Sequence, residues 1–126
     1  MSKKILVLDD SRTIRTSVKY TLKKNGYEIL LAENGKEGLE VLEENSGMSD
    51  RPKMIITDIN MPKMDGIEFI KNVKKDRRFK FIPILVLTTE SQAEMKNKGK
   101  KAGAAGWLVK PFSPKQLTGV VKKFVR

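Results

Sequence analysis

Five polar side chains come directly after short apolar segments of this sequence, and together they suit phosphate chemistry. They are Asp9, Asp10, Asp58, Thr88 and Lys110. If the apolar segments are parallel strands of one sheet, their carboxyl ends meet at the edge where open α/β sheets bind ligands. Carboxylates are ligands that Mg²⁺ accepts, and a hydroxyl and an ammonium group can contact the oxygens of a phosphoryl group. We therefore expect one cleft that combines a divalent cation with a phosphoryl group.

Two residue types on which many catalytic sites depend are missing. The 126 residues include no cysteine and no histidine. Disulfides, thiolate or imidazole zinc sites, and Ser-His-Asp or Cys-His nucleophiles are therefore excluded. Any phosphoryl group that the protein holds must rest on a carboxylate or a hydroxyl.

The charge of the chain is strongly positive. Lys and Arg outnumber Asp and Glu by 26 to 15, which gives a formal net charge of +11. Such an excess can attract nucleic acid, but the basic residues are spread widely, with local density only in 71–80 and 96–101. We expect solvated helix surfaces before a nucleic-acid site, with an acidic protein partner as the intermediate possibility.

Length and hydropathy indicate one domain, residues 1–126, in the cytoplasm. A chain of 126 residues suffices for a single core and is too short for a second. Its apolar segments are far shorter than a membrane span, and the first of them is too short for a signal peptide. We expect no membrane partner.

Short β-rich segments alternate five times with helical periodicity, which predicts βα units around a parallel sheet. The predicted strands are 4–8, 27–32, 54–57, 82–87 and 106–109. The predicted helices are 12–25, 34–44, one beginning near 65, 91–102, and one beginning after 113 with a buried stripe of Leu117, Val120, Val121 and Phe124. The first, second, fourth and fifth helices have N-cap candidates, which are Ser11, Asn34, Ser91 and Ser113.

The fourth predicted helix is weakly anchored. Ser91 and Glu94 form a capping-box pattern at its start, but its apolar side is limited to Ala93, Met95 and Ala102. Gly99 lies in its interior, where glycine costs roughly 1 kcal/mol relative to alanine. The helix is either a marginal surface element or one that moves at low cost.

Four motifs, in their order and spacing, resemble response-regulator receiver domains. The motifs are Asp9-Asp10, the segment 58–66 (DINMPKMDG), the segment 88–90 (TTE) and the segment 106–112 (GWLVKPF). The resemblance covers the whole chain and is strongest to the free-standing chemotaxis regulators of that family. It implies a flavodoxin-like fold, an α/β five-stranded parallel sheet of order 2-1-3-4-5 with helices on both faces.

The resemblance also implies roles for individual residues. Asp58 is the expected phosphoacceptor, and Asp10, Asp9, Asp58 and the backbone carbonyl of Asn60 are the expected Mg²⁺ ligands. Lys110, preceding a cis peptide bond to Pro111, pairs with Asp58 and later with the phosphoryl group.

Three further positions are implied to act after phosphorylation. Thr88 is the expected switch hydroxyl, and Trp107 occupies the switch aromatic position, where Tyr, Phe or His is more usual. Asn60 and Glu90 lie two residues beyond Asp58 and Thr88, where side chains tune attack by water. From its own residues, Trp107 is equally well explained as a partly buried packing residue. Asp65-Gly66 is interpreted as a turn and a cap outside the site.

By this resemblance the protein is a signalling switch and no enzyme beyond its own phosphorylation and dephosphorylation. A histidine kinase donates the phosphoryl group, and a phosphatase is a possible further partner. The face formed by the fourth helix, fifth strand and fifth helix then binds a protein target, at the flagellar motor switch or elsewhere. The sequence stops after the fifth helix, so we expect no output domain.

Several alternatives compete with this interpretation. The first is a single-domain receiver in a phosphorelay other than chemotaxis. A Mg²⁺-dependent phosphatase with an aspartate nucleophile would resemble haloacid dehalogenases, but their D-x-D-x-T pattern is absent from 9–13. A flavin or nucleotide module lacks the Gly-rich loop after strand one. Nucleic-acid binding rests on charge alone and predicts strongly salt-dependent DNA binding.

Overall fold

The computed structural model describes residues 3–125, which form five strands and five helices in strict alternation. The strands are β1 (Lys3–Leu8), β2 (Tyr27–Ala32), β3 (Met54–Thr57), β4 (Ile84–Thr88) and β5 (Gly106–Val109). The helices are α1 (Arg12–Lys24), α2 (Gly35–Glu44), α3 (Gly66–Lys75), α4 (Ala93–Ala102) and α5 (Pro114–Phe124).

All five strands are parallel and follow the order β2-β1-β3-β4-β5. The predicted topology is therefore confirmed. The three central strands are almost continuous runs of Ile, Leu, Val and Met, as expected for strands that are covered on both faces.

Alternation along the strands divides the core into two layers. Leu6, Leu8 and Ile55 lie on the face covered by α2, α3 and α4, with Phe69 as the largest buried side chain there. Ile5 and Val7 lie on the opposite face, which α1 and α5 cover. The sheet is therefore held from both sides, and its carboxyl edge remains open for chemistry.

Side-chain caps begin four of the five helices, and all four were predicted from the sequence, that of Asp65 as part of the Asp65-Gly66 turn and cap. Ser11 and Asn34 accept hydrogen bonds from the backbone N–H groups of Ile14 and Glu37. Ser113 forms the full capping box with Gln116. Asp65 caps α3 by accepting from the N–H of Glu68 at 2.9 Å.

The predicted start of α4 is wrong. The helix begins at Ala93, with Gln92 at the N-cap and no side-chain cap hydrogen bond. The segment before it is held instead by Glu90, whose N–H donates to the Thr88 hydroxyl and whose carbonyl accepts from the Trp107 indole. These contacts fix the backbone outside the helix, and a local capping pattern contains no information about them.

The start of one strand and the burial of one side chain also differ from the predictions. β4 begins at Ile84 and not at 82, because the Ile82 N–H donates to the Phe79 carbonyl at 3.0 Å in the preceding turn and Pro83 has no N–H to donate. Phe124 was predicted to be buried, but it is exposed, and Val125 fills the core position after the end of α5. Val125 has an extended backbone, which turns its side chain back toward the sheet.

Among residues 3–125, no helix combines the length and the hydropathy needed to cross a membrane.

Candidate functional site

The candidate site is built at the carboxyl edge of the sheet, where backbone pairing continues one residue past the strands. The N–H of Asp9 donates to the Ala32 carbonyl at 3.2 Å, and the N–H of Asp58 donates to the Leu8 carbonyl at 3.0 Å. These bonds hold Asp9 and Asp58 in register at neighbouring strand ends. Their side chains therefore start from a rigid frame.

Three carboxylates meet at this edge. One oxygen from each of Asp9, Asp10 and Asp58 lies within 4.8 Å of the others. Asp9 and Asp58 are buried, whereas Asp10 is exposed. The cluster is closed on the protein side and open to solvent on the side of Asp10.

Lys110 lies between the two buried carboxylates. Its Nζ is 2.6 Å from Oδ2 of Asp9 and 3.2 Å from Oδ2 of Asp58. The Lys110 N–H donates to the Thr88 carbonyl at 2.8 Å, which places the lysine directly beside the end of β4. The Lys110–Pro111 peptide bond is cis, as the resemblance implied.

Backbone groups fix the orientation of the two buried carboxylates. The N–H of Ser11 donates to Oδ1 of Asp9 at 2.9 Å, and the N–H of Ile59 donates to Oδ1 of Asp58 at 2.6 Å. Arg15, on α1, donates from its guanidinium group to the Asp9 carbonyl at 2.7 Å. In each carboxylate Oδ1 is therefore held by the backbone, and Oδ2 faces Lys110.

Burial and charge act against each other in this cluster. Burial raises the pKa of Asp9 above its ordinary value, because desolvation outweighs the hydrogen bonds from Lys110 and Ser11. Burial lowers the pKa of Lys110, but the hydrogen bond that it donates to Asp9 and the charges of Asp58 and Asp9 outweigh this effect, so the pKa of Lys110 lies above its ordinary value. Lys110 is therefore a cation at neutral pH and offsets part of the carboxylate charge.

Gly66 allows α3 to begin directly against the backbone of the site. Its N–H donates to the Ile59 carbonyl at 2.8 Å. A Cβ at this position would collide with the backbone carbonyl of Asp58 and would lie 2.9 Å from Cα of Ile59. No residue with a side chain fits there unless the Asp58 loop moves, so Gly66 positions the site without entering it.

Thr88, Glu90 and Trp107 form a chain of contacts leading away from the carboxylates. The buried Thr88 hydroxyl accepts from the Glu90 N–H at 3.3 Å, and the Glu90 carbonyl accepts from Nε1 of Trp107 at 2.8 Å. The Trp107 ring is partly buried and lies on α4 at Gly99, where a Cβ would be 2.6 Å from Cζ3 of the ring. The interior glycine of α4 thus makes room for the tryptophan.

The structure places the predicted residues in two groups. Asp9, Asp10, Asp58 and Lys110 share one cluster of contacts. Thr88 and Trp107 belong to the chain that runs through Glu90, and the Thr88 hydroxyl is engaged with a backbone N–H. Asn60 is exposed in the loop after β3, two residues from Asp58.

Two residues that hold the site in place were missed or set aside in the sequence. Arg15 lies on a helix among many basic residues, and no local signal distinguishes it. Gly66 belongs to the Asp65-Gly66 pair, which was interpreted as a turn and a cap. The Asp65 cap is real, but the closeness of Gly66 to Asp58 depends on the packing of α3.

The donor set fits Mg²⁺. This ion takes oxygen ligands, holds one or two carboxylates and keeps several waters. Asp9, Asp10 and Asp58 supply carboxylate oxygens at suitable mutual distances, and the exposed side of Asp10 leaves room for water. The absence of histidine and cysteine from the whole chain argues against the softer metals.

The chain matches the family of the response regulator receiver domain over residues 5–122. It is 45% identical over 115 residues to the chemotaxis protein CheY1 of Helicobacter pylori, and the alignment covers 90% of each chain. The chemotaxis protein CheY homolog of Campylobacter jejuni is 39% identical over 115 residues, with 90% of this chain and 85% of that protein covered. The structure of the chemotaxis response regulator CheY4 of Vibrio cholerae superposes with a TM-score of 0.90 at 42% identity, covering 99% of this chain and 100% of that chain.

Proposed function

This chain belongs to the response regulator receiver family, and on that premise we propose that it is a chemotaxis response regulator phosphorylated on Asp58. The observation on which the proposal depends is the cluster of Asp9, Asp10, Asp58 and Lys110 at the carboxyl edge of the sheet. The similarity to chemotaxis proteins of three bacteria supports the biological role. A receiver in another phosphorelay would use the same cluster.

The proposed reaction is a phosphoryl transfer to a carboxylate. Oδ1 of Asp58 is held by the Ile59 N–H, so Oδ2 is the oxygen that attacks phosphorus. A P–O bond to Asp58 forms as the P–N bond to the histidine of a kinase breaks, and the imidazole leaves with the electron pair. The product is an acyl phosphate, which water later hydrolyses to free Asp58 and inorganic phosphate.

Catalysis of such a transfer consists mostly of positioning and charge neutralisation. Asp9, Asp10, Asp58 and the Asn60 carbonyl would hold Mg²⁺, which when bound offsets negative charge on the phosphoryl oxygens. Lys110 exchanges its contact with Oδ2 of Asp58 for a contact with a phosphoryl oxygen. The side chains of Asn60 and Glu90, at the exposed mouth, tune the approach of the hydrolytic water.

The chain of contacts from Thr88 provides the route to the target-binding face. In the proposed switch, the Thr88 hydroxyl leaves the Glu90 N–H and donates to a phosphoryl oxygen. Because the Glu90 carbonyl also holds the Trp107 indole, release of this segment repositions Trp107. The ring lies against Gly99, so the change reaches α4 and the face formed by α4, β5 and α5.

The partners follow from the proposed role. A chemotaxis histidine kinase donates the phosphoryl group, and a motor-switch protein is the target of the α4-β5-α5 face. Purified motor-switch protein from the same organism should bind more tightly to the chain when Mg²⁺ and acetyl phosphate are added. Equal binding with and without acetyl phosphate would argue for a different target.

The phosphorylation itself is tested by incubating the protein with acetyl phosphate and following intact mass and Trp107 emission. We expect a labile mass increase of one phosphoryl group that requires Mg²⁺, together with a change in emission. Asp58→Asn should abolish the adduct, and Asp10→Asn should greatly reduce it. Asp50→Asn, on an exposed loop, is the matched control and should leave the adduct intact.

An adduct that persists in Asp58→Asn would place the acceptor elsewhere, and no adduct in the unmodified protein would contradict the proposal. Each variant should first be shown by circular dichroism to unfold at a temperature close to that of the parent. Loss of the adduct in a variant that is folded then reports on chemistry and not on stability.

A further inference from the structure

A groove of about 660 Å³ lies between α3 and α4 and borders the candidate site at Asn60. Its floor is aliphatic and is formed by Ile59, Ile67, Met95 and Ala102. Its walls carry lysines from both helices, which are Lys71, Lys74, Lys75, Lys98 and Lys101. The lysines of the two walls face each other across the aliphatic floor, and this arrangement is unfavourable without an anion because like charges repel each other.

Four of the five lysines are available to a ligand. Lys71 and Lys75 on α3 and Lys98 and Lys101 on α4 are exposed. Lys74 is different, because its Nζ donates to the carbonyls of Lys80 and Ile82 at 2.9 Å each. Burial also lowers its pKa below the ordinary value. Lys74 therefore belongs to the framework of the groove.

The groove contains little negative charge of its own. Asp65 is the one acidic residue among those that line it, and its carboxylate accepts the capping hydrogen bond from the Glu68 N–H. The five lysines of the lining thus outnumber its single carboxylate. Charge complementarity calls for an anionic occupant.

The shape and lining of the groove favour an acidic peptide over a nucleic acid. Sites for single-stranded nucleic acid use aromatic rings and arginine for stacking, and the lining residues include neither. Protein interfaces combine an apolar centre with a polar rim, which matches the aliphatic floor and the lysine walls. We propose that the α3–α4 groove binds an acidic amphipathic helix of a partner protein, with apolar side chains on Ile67 and Met95 and carboxylates on the lysines.

This surface is separate from the α4-β5-α5 face. The residues of α4 that line the groove include Met95, Lys98 and Lys101, whereas Lys96, Asn97 and Lys100 line a second depression beside Trp107. The two sets lie on different sides of the helix. A partner in the groove and a target on the other face would therefore contact different residues of α4.

The test uses the unphosphorylated protein, so it is independent of phosphorylation at Asp58. The probe is a synthetic fluorescent helical peptide with leucine at positions i, i+3, i+4 and i+7 and glutamate at the flanking positions. Binding is followed by fluorescence anisotropy at low salt. The same peptide with serine in place of leucine tests whether the aliphatic floor contributes.

The central variant is Lys71→Glu/Lys98→Glu, which reverses one charge on each wall. Its matched control is Lys19→Glu/Lys23→Glu, two exposed lysines of α1 with the same change in net charge. We expect roughly tenfold weaker binding for the groove variant and less than threefold for the control, since exposed charge contacts contribute up to about 1 kcal/mol each. Met95→Gln should also weaken binding with the charge unchanged.

Several outcomes would overturn the proposal. Equal weakening in the two charge-reversed variants would mean that the peptide responds only to net charge. Equal affinity for the leucine and serine peptides would mean that the aliphatic floor does not contribute to binding. Tighter binding of a short DNA duplex than of the peptide, lost in the groove variant, would assign the groove to nucleic acid. Melting curves for every variant establish that the fold is retained.

Discussion

At the residue scale, the site is governed by a shortage of positive charge. Asp9, Asp10 and Asp58 lie together, and Lys110 is the cation that contacts the two buried members of this set. Neighbouring carboxylates repel one another, and burial raises the pKa of Asp9. One ammonium group does not neutralise three carboxylates. The site is therefore prepared for a further cation.

Replacement of Lys110 by methionine should expose this shortage. Lys110→Met leaves Asp9 and Asp58 buried without an ammonium group, and we expect a loss of about 2 kcal/mol in the free energy of unfolding, less than for a fully buried pair. Added Mg²⁺ should restore more stability to the variant than it adds to the parent. Urea unfolding with and without Mg²⁺ measures both effects.

Lys115→Met, at an exposed position of α5, is the control and should change neither quantity. If Lys110→Met and the parent have the same free energy of unfolding without Mg²⁺, repulsion among the carboxylates does not destabilise the fold. The electrostatic account of the site would then be wrong.

Some residues of the site could be predicted from the sequence, and others could not. Asp9, Asp10, Asp58 and Lys110 could be predicted to meet because strand ends of a parallel sheet share one edge, and the structure brings them together. Arg15 could not be predicted, since its contact with the Asp9 carbonyl depends on the angle at which α1 lies on the sheet. The state of the Thr88 hydroxyl is likewise a tertiary property, set by the Glu90 N–H.

At the scale of elements, α4 is shaped by the side chain that lies on it. Gly99 is the buried residue of this helix, and the space above it is filled by the ring of Trp107. Interior glycine weakens the helix, but the indole gains a flat contact surface. The sequence indicated that α4 is weak, and the structure supplies a reason for the glycine.

Gly99→Ala should separate these two effects. Alanine raises the helix propensity by roughly 1 kcal/mol, but its Cβ would lie 2.6 Å from Cζ3 of Trp107, so the ring must move. We expect a red shift of Trp107 emission and faster acrylamide quenching, with little net gain in stability.

The control is Gly119→Ala on α5, where a Cβ would meet nothing within 4 Å. This change should stabilise the protein by about 0.5–1 kcal/mol and leave Trp107 emission unaltered. If Gly99→Ala behaves in the same way, the ring does not depend on the gap in α4.

Arg78 joins α2 to the end of α3. Its guanidinium group makes two hydrogen bonds of 2.8 Å to the Glu43 carboxylate and two more, of 2.8 and 3.1 Å, to the carboxylate of Asp76, the C-cap of α3. The hydrogen bonds from Arg78 lower the pKa of both carboxyl groups. All three groups are at the surface, so the pairing strengthens the fold only modestly.

The lowered pKa values predict the pH dependence of this contribution. A carboxyl group with a lowered pKa stabilises the fold above its unfolded pKa, and this stabilisation is lost as the pH falls through the lowered value. Arg78→Gln should therefore lower the urea midpoint at neutral pH, and the difference from the parent should shrink well below about pH 4. Arg77→Gln is the neighbouring control. A difference that is constant with pH would indicate lost packing on Phe79 instead.

Element boundaries were predictable where the signal is local and not where it is tertiary. The caps at Ser11, Asn34 and Ser113 follow from side chains that bond to backbone groups three residues away. The start of α4 was mispredicted because the Trp107 indole competes for the preceding segment. The start of β4 shifted because the Ile82 N–H donates to the Phe79 carbonyl, a turn that the apolar pattern of 82–87 does not reveal.

At the scale of the whole molecule, excess positive charge acts against the compact state. The formal net charge of +11 is distributed over helix surfaces on both sides of the sheet. Repulsion among like charges destabilises folding and is screened by salt, whereas the exposed ion pairs are fewer and weak. The balance favours repulsion.

Moderate NaCl should therefore raise the midpoint of urea unfolding above its value at low ionic strength. Lys19→Glu/Lys23→Glu, which lowers the net positive charge, should show a smaller increase. A midpoint that falls as NaCl is added would mean that the surface ion pairs outweigh the repulsion.

The amino-terminal ends of the strands lie at the side of the sheet opposite the carboxylates. The long connection between α2 and β3 lies there, since it leads into the first residue of β3, and its Met48 side chain is largely exposed. The full length of β3, roughly 13 Å at a strand rise of about 3.3 Å per residue, separates this connection from Asp58. A dye, a tether to a sensor surface or a short inserted epitope at Met48 would thus leave the reactive edge facing free solution. Met48 is therefore a suitable attachment position for measurements on the immobilised protein.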